Sequence, residues 1–220
     1  MSGDDPIKAG SGAGSAPPYT PAGGPRLAQF LDALPVKTRW IHNHRLVWQT
    51  GQQNAPDGPG LTPETHCSAF IAAVALMLDI YILRPPHHGQ NDLANAQADW
   101  LAGTGAFPGP TASGSKWVVL GSSGDAGALK AAVEAANAGQ LVVAIYKAPQ
   151  VQGADDHGHA VIVRPQDAAA VGADGPHVAS VADCNRPDTP MQKAFHAHPG
   201  AWPSKIALYA HATDLEKDST

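Results

Sequence analysis

The chain has 220 residues, 43% hydrophobic and 15% charged, enough for one substantial buried core. Its formal net charge is −5, and its 14 Lys and Arg residues are scattered without a basic patch, which argues against nucleic acid or an anionic membrane as the main partner. Two cysteines, Cys67 and Cys184, are too few for a disulfide framework.

The first residues, Met1-Ser-Gly-Asp-Asp-Pro, contain neither a basic region nor an apolar core, so no secretory signal is expected. Residues 1–25 are rich in Gly, Ala, Ser and Pro and predict a disordered leader. Order is expected over residues 26–212, with 213–220 as a tail. Leu27, Phe30, Leu31 and Leu34 form a helical face that stops at Pro35. Residues 36–49, with Trp40, Ile41, Leu46, Val47 and Trp48, read as a second helix. A Pro/Gly/Asn/Asp loop then leads to Thr62-Pro-Glu-Thr-His-Cys-Ser-Ala-Phe-Ile-Ala-Ala-Val, where Thr65 or Thr62 can cap a helix that is apolar on nearly every side. After the break at 84–89, a helix is expected over 91–101 and a short extended piece at 117–120. Another helix is expected over 126–138, closed by Gly139. Strands follow at 140–147, 159–164, 177–184 and 205–211, with 186–203 as loop. Helices first and strands after predict an α+β fold with an antiparallel sheet.

Cys67 falls in the first turn of its helix, where unpaired N–H groups and the helix dipole favour an anion and so a thiolate. An inert core cysteine, or a Cys67–Cys184 bridge, fits the same position. A nucleophilic cysteine needs a base and a group that orients it. Of 11 histidines, His159 is the best base, because it opens an apolar strand just after the acidic loop containing Asp155 and Asp156. If the following strand pairs across a turn near Ala170, positions 182–185 come level with His159. Asp183 and Asn185 are then the candidate orienters, with Ser180 as a third if the hairpin is bulged. A zinc set of His157 and His159 with Cys67 or His177 is the alternative chemistry, although no helical His-x-x-x-His or Cys-x-x-Cys spacing supports it.

The run Cys67-Ser-Ala-Phe-Ile-Ala-Ala-Val, then Gly-Gln-Leu-Val-Val-Ala, then Gly-His-Ala-Val-Ile-Val, then Gly-Pro-His-Val-Ala-Ser-Val-Ala-Asp-Cys-Asn resembles the NlpC/P60 and CHAP cysteine peptidases and amidases. These are papain-like enzymes acting on peptidoglycan, and the likeness covers about residues 61–211. It implies a nucleophile-bearing N-terminal helix packed on an antiparallel sheet. Cys67 would be the nucleophile and His159 the base, with Asn185 or Asp183 third and neither metal nor cofactor. The substrate implied is a peptidoglycan peptide, cut by a monomer. His66, beside the thiol, and Asp155 and Asp156, at the rim, are the expected substrate contacts, the aspartates favouring a cationic group such as a diamino-acid amine. Some members of that group are type VI secretion effectors without signal peptides. By that likeness the chain would be made in the cytoplasm, leave by a signal-independent route, act in a target periplasm and be opposed by a cognate immunity protein. The alternatives are a papain-like protease or acyltransferase on a protein substrate, or a non-catalytic binding module of the same fold.

Overall fold

The computed structural model describes residues 23–55, 66–90, 92–149, 157–181 and 185–216. Its centre is an antiparallel sheet of six strands: β3 (Val118–Ser122), β4 (Leu141–Tyr146), β5 (His159–Val163), β6 (His177–Ser180), β7 (Arg186–Pro190) and β8 (Ile206–His211). They lie in the order β3-β8-β4-β5-β6-β7. A separate two-stranded ladder joins β1 (Leu46–Val47) to β2 (Gln52–Gln53). The helices are α1 (Gly23–Ala33), α2 (Cys67–Met77), α3 (Leu93–Ala102), α4 (Ala126–Asn137) and the single turn α5 (Met191–Ala194). The architecture is α+β, as the order of elements implies, and among the described residues no helix is long and apolar enough to cross a membrane.

The central strands follow from their composition. Leu-Val-Val-Ala-Ile-Tyr in β4 is buried at all six positions: neighbouring strands cover its edges, α3 and α4 pack on it, and His198 meets Tyr146 at its end. Helix α2 packs on β5 and α3 on β4 and β5, while α4 crosses β3, β8 and β4. Helix α4 begins where Asp125 accepts a hydrogen bond from the Gly127 amide, and its chain reverses at Gly139 with φ +92°. Helix α2 is buried from Cys67 to Ala75 and surfaces only at Leu76 and Met77. It terminates in a turn where Asp79, at φ +56°, takes the left-handed position and the Ile80 amide returns to the Ala75 carbonyl.

Several expectations need correction. The expected leader lies outside the described residues up to position 22, but residues 23–25 already belong to α1. Gly23 and Gly24 allow it to dock on the end of α4: a Cβ on Gly23 would lie 2.2 Å from the Ala138 carbonyl oxygen. The expected tail contributes too, since the buried Thr213 hydroxyl donates to the Gly139 carbonyl and residues 214–216 form a 3₁₀ turn against α1. Residues 36–49 form turns and a ladder rather than a helix. Trp40 and Asn43 hold positive φ values of +51° and +63°, and the Trp40 amide and indole donate to the Gly51 and Trp48 carbonyls. Packing of Trp40 edge-on against Phe70, with centroids 5.2 Å apart, overrides the helical spacing of its apolar neighbours. Residues 186–190 form edge strand β7, where Pro187 and Pro190 are tolerated because no further strand pairs beyond them.

Gly158 sits at a close approach between the sheet and α3. A Cβ there would sit 2.4 Å from Asn95 Oδ1 and 2.7 Å from the Tyr146 carbonyl oxygen. A Gly158→Ala change must therefore displace α3 or the end of β4. Overpacking of this kind costs about 1–3 kcal/mol, and chemical denaturation should show that loss as a lower midpoint with an unchanged slope.

Candidate active site

Helix α2 starts at Cys67, one position later than a Thr65 cap predicts, so Cys67 is the first rather than the second helical residue. His66 occupies the N-cap position without a side-chain cap, and the proposed caps Thr62 and Thr65 lie outside the described residues. The thiol is fully buried, with Sγ 3.9 Å from the Gly158 carbonyl oxygen, one residue before His159. Gln97 on α3 fixes the base of this helix: its buried Nε2 donates to the carbonyls of Ser68 (3.2 Å) and Leu83 (3.0 Å). A carboxamide spanning both carbonyls ties the first turn of α2 to the chain that leaves it.

His159 opens β5 and is also buried, at 1% exposure. Its Nε2 lies 3.2 Å from the buried Ser180 Oγ. The β5–β6 register pairs Ile162 with Ala179, so one further step sets Ser180 across from Val161, on the same face as His159 and diagonal to it. The register break near Ser180 lies on the β7 side, between Val178 and Ser180. Phe195 meets the His159 ring edge-on at 4.9 Å, and His198 stacks on it at 5.2 Å with 16° between planes. Tyr146, paired with His159 across β4 and β5, also contacts His198.

The structure thus brings Cys67 and the start of the His159 strand together, while the two side chains point at different partners, the Gly158 carbonyl and Ser180. Asn185 does not orient the ring. Its Nδ2 donates to the carbonyls of Val36 (2.7 Å) and Arg39 (2.6 Å), tying the start of β7 to the segment after α1. Asp183, Cys184, Asp155 and Asp156 lie outside the described residues. His66 is buried, and its Nε2 donates to the His44 carbonyl at 2.8 Å, so it braces the N-terminus of α2 rather than facing a substrate. The members of the alternative zinc set separate: His157 pairs with Asp92 and His177 with Asp188. Among the described residues no group of three or more His, Cys, Asp or Glu side chains is arranged to hold a metal ion.

Helix α3 and its N-cap residue Asp92 also hold the described chain on either side of positions 150–156. Asn95 Oδ1 accepts from the Ala148 amide at 2.9 Å, Asp99 pairs with Lys147 at 2.6 Å, and Asp92 meets His157 at 3.2 Å. None of these roles has a local sequence signal, and neither do Phe195 and His198, which arrive from a Pro-flanked segment far along the chain.

Burial, reinforced by His198 and His196, lowers the His159 pKa to about 3. Burial likewise lowers that of His66 to about 4, with His42 and His44 adding to the shift and the hydrogen bond to the His44 carbonyl opposing it. Both rings are therefore neutral near pH 7. No protein-family model matches the chain, and no curated protein matches it.

The two histidines set a pH dependence of stability. Below about pH 6.5 the unfolded chain protonates both rings while the folded chain does not, so the unfolded state binds more protons. Stability is full above that pH and falls as the pH drops toward 4 and then 3, by a total on the order of a few kcal/mol. Denaturant melts from pH 8 to 4 should show this decline, and His159→Gln should remove about half of it, leaving the share due to His66.

Proposed function

We propose that the protein is a papain-like cysteine hydrolase that cuts amide bonds in peptidoglycan peptides, with Cys67 as nucleophile and His159 as base. The observation that carries this reading is the placement of Cys67 at the head of a buried helix, against the residue that precedes His159, while Ser180 engages His159 Nε2. A base needs one ring nitrogen for the proton it takes and the other held. The Ser180 hydroxyl can pair with either tautomer; in the one that donates Nε2–H to it, Nδ1 keeps its lone pair, and a neutral imidazole is the form that accepts a proton. In the reaction, Nδ1 takes the thiol proton as Cys67 Sγ attacks the amide carbonyl carbon. The resulting imidazolium gives that proton to the leaving amine as the C–N bond breaks. Water, deprotonated by the same nitrogen, then releases the acyl group from sulfur. The amide of Cys67, at the start of α2, is a donor for the oxyanion.

Both reacting groups are covered, so substrate entry requires the chain over them to move. The segment over His159 is the one that carries Phe195 and His198. The likeness to interbacterial effectors supports a cell-wall toxin that leaves its own cytoplasm by a signal-independent route and is restrained by an immunity protein. A second reading has its own support: complete burial of Cys67 and His159 favours a non-catalytic binding module of the same architecture.

Purified sacculi separate the two readings. Incubation with the protein should release new peptide fragments, resolved by mass spectrometry, and Cys67→Ala and His159→Ala should each lower the yield by about a hundredfold or more, the scale of a lost general base. No product from any of the three favours the binding module, and equal product from all three overturns the roles given to Cys67 and His159.

A further inference from the structure

The order of strands dictates the path of the chain between β7 and β8. Strand β7 is at an edge and β8 lies between β3 and β4, so residues 191–205 must cross β6, β5 and β4. The crossing spans about 19 Å at the usual strand spacing. It leaves Pro190 opposite His177, at the far end of β6 from Ser180, and enters β8 at Ile206, which pairs with Tyr146, the β4 partner of His159. The segment thus runs diagonally over the sheet, on the face to which His159 points, since Phe195 and His198 both meet that ring.

This crossing segment is folded on itself. Met191, Ala194, Phe195 and Ala201 are buried, while Lys193, His196 and Pro203 are exposed. Its two ends are anchored by hydrogen bonds. The Met191 and Gln192 amides donate to the Pro176 and Asp174 carbonyls, and Ile206 exchanges hydrogen bonds with Ser123. Between these anchors the backbone bonds found among the described residues are all internal: the amides of Phe195, His198, Ala201 and Lys205 donate to the carbonyls of Met191, Phe195, His198 and Ala201 in turn. Side-chain packing seats the stretch on the sheet. Phe195 and His198 rest on His159, His198 also on Tyr146, and Trp202 on Gly175, where a Cβ would lie 2.5 Å from the indole.

We infer that residues 193–204 form a strap that lifts from the sheet as one unit, about hinges at Gln192 and Lys205, while the rest of the fold stays intact, and that this opening admits substrate to His159. The inference rests on the catalytic reading proposed above and adds the control of access to that site. Lifting the strap breaks none of the hydrogen bonds within the sheet and leaves both anchors in place, so it gives up the seating of a few side chains rather than the core. Phe195, fully buried and edge-on to the imidazole, is the main latch. A ligand that takes the place of Phe195 over His159 binds only the open form and draws the population toward it.

The test is modification of His159 in the folded protein by diethyl pyrocarbonate at neutral pH, mapped by mass spectrometry across a denaturant series. A strap that opens locally gives labelling that hardly depends on denaturant at low concentration and joins global unfolding only near the midpoint. Phe195→Ala should speed the low-denaturant labelling by about a hundredfold, the scale of a deleted buried phenylalanine. Phe195→Leu, the milder variant should the first not fold, should speed it by about three- to tenfold. Leu31→Val, in α1, which packs on α4 and the 214–216 turn, should lower global stability and leave that rate unchanged. Labelling that follows the full denaturant slope of global unfolding from the outset, or that Leu31→Val speeds in proportion to lost stability, overturns the inference. So does a rate untouched by Phe195→Leu. Release of peptides from sacculi is scored separately. Local opening without turnover removes the hydrolase reading and keeps the strap, and turnover with His159 labelled only on global unfolding does the reverse.

Discussion

The close approach at Gly158 is the constraint on which the rest of the arrangement depends. With no side chain there, Asn95 and the end of β4 come within a distance that any Cβ would forbid, and the Gly158 carbonyl meets the Cys67 thiol. That single contact region joins α2, α3 and the β4–β5 hairpin. It also sets the first residue of β5, His159, beside the first residue of α2. Close packing leaves such a junction little room to shift, so its geometry passes directly to the two side chains.

Around that junction most of the buried polar groups have partners, as a low-dielectric interior demands, although Gln97 Oε1 is buried without one. Gln97 holds the Ser68 and Leu83 carbonyls, Asn95 holds the Ala148 amide, and Ser180 holds His159. The histidines stay neutral because burial penalises their charged forms, and His198 and His196 push His159 in the same direction. His159 is thus neutral and anchored at Ser180, while Cys67 lies at the head of α2 against the Gly158 carbonyl. Phe195 and His198 cover the ring, so the proposed mechanism requires that cover to move before substrate can enter.

Much of this was legible in the sequence, wherever the signal was local. The apolar run of β4, the strand opening at His159 and the Asp125-to-Gly139 frame of α4 each carry their own punctuation, and the structure follows them closely. Residues 36–49 were not legible, because their apolar spacing suits a helix and only the packing of Trp40 on Phe70 and Gly51 selects the ladder. The partner of His159 needed a register accurate to one residue and a diagonal contact. Counting back from a turn reached Asp183 and Asn185, but the ring reaches Ser180, and Asn185 satisfies carbonyls 146 and 149 positions earlier in the chain. Phe195 and His198 arrive from 36 and 39 residues beyond His159, and nothing local announces a contact of that range.

The central claim, that Cys67 is a nucleophile served by His159, is tested most directly by electrophile labelling of the folded protein. A small haloacetamide and peptide mapping would read Cys67 separately from Cys184. The account predicts that Cys67 is alkylated well below the unfolding midpoint, through local opening of the cover, and that His159→Ala slows the reaction several-fold without changing the unfolding rate. Labelling that occurs only at the rate of global unfolding, and is indifferent to His159, would contradict it.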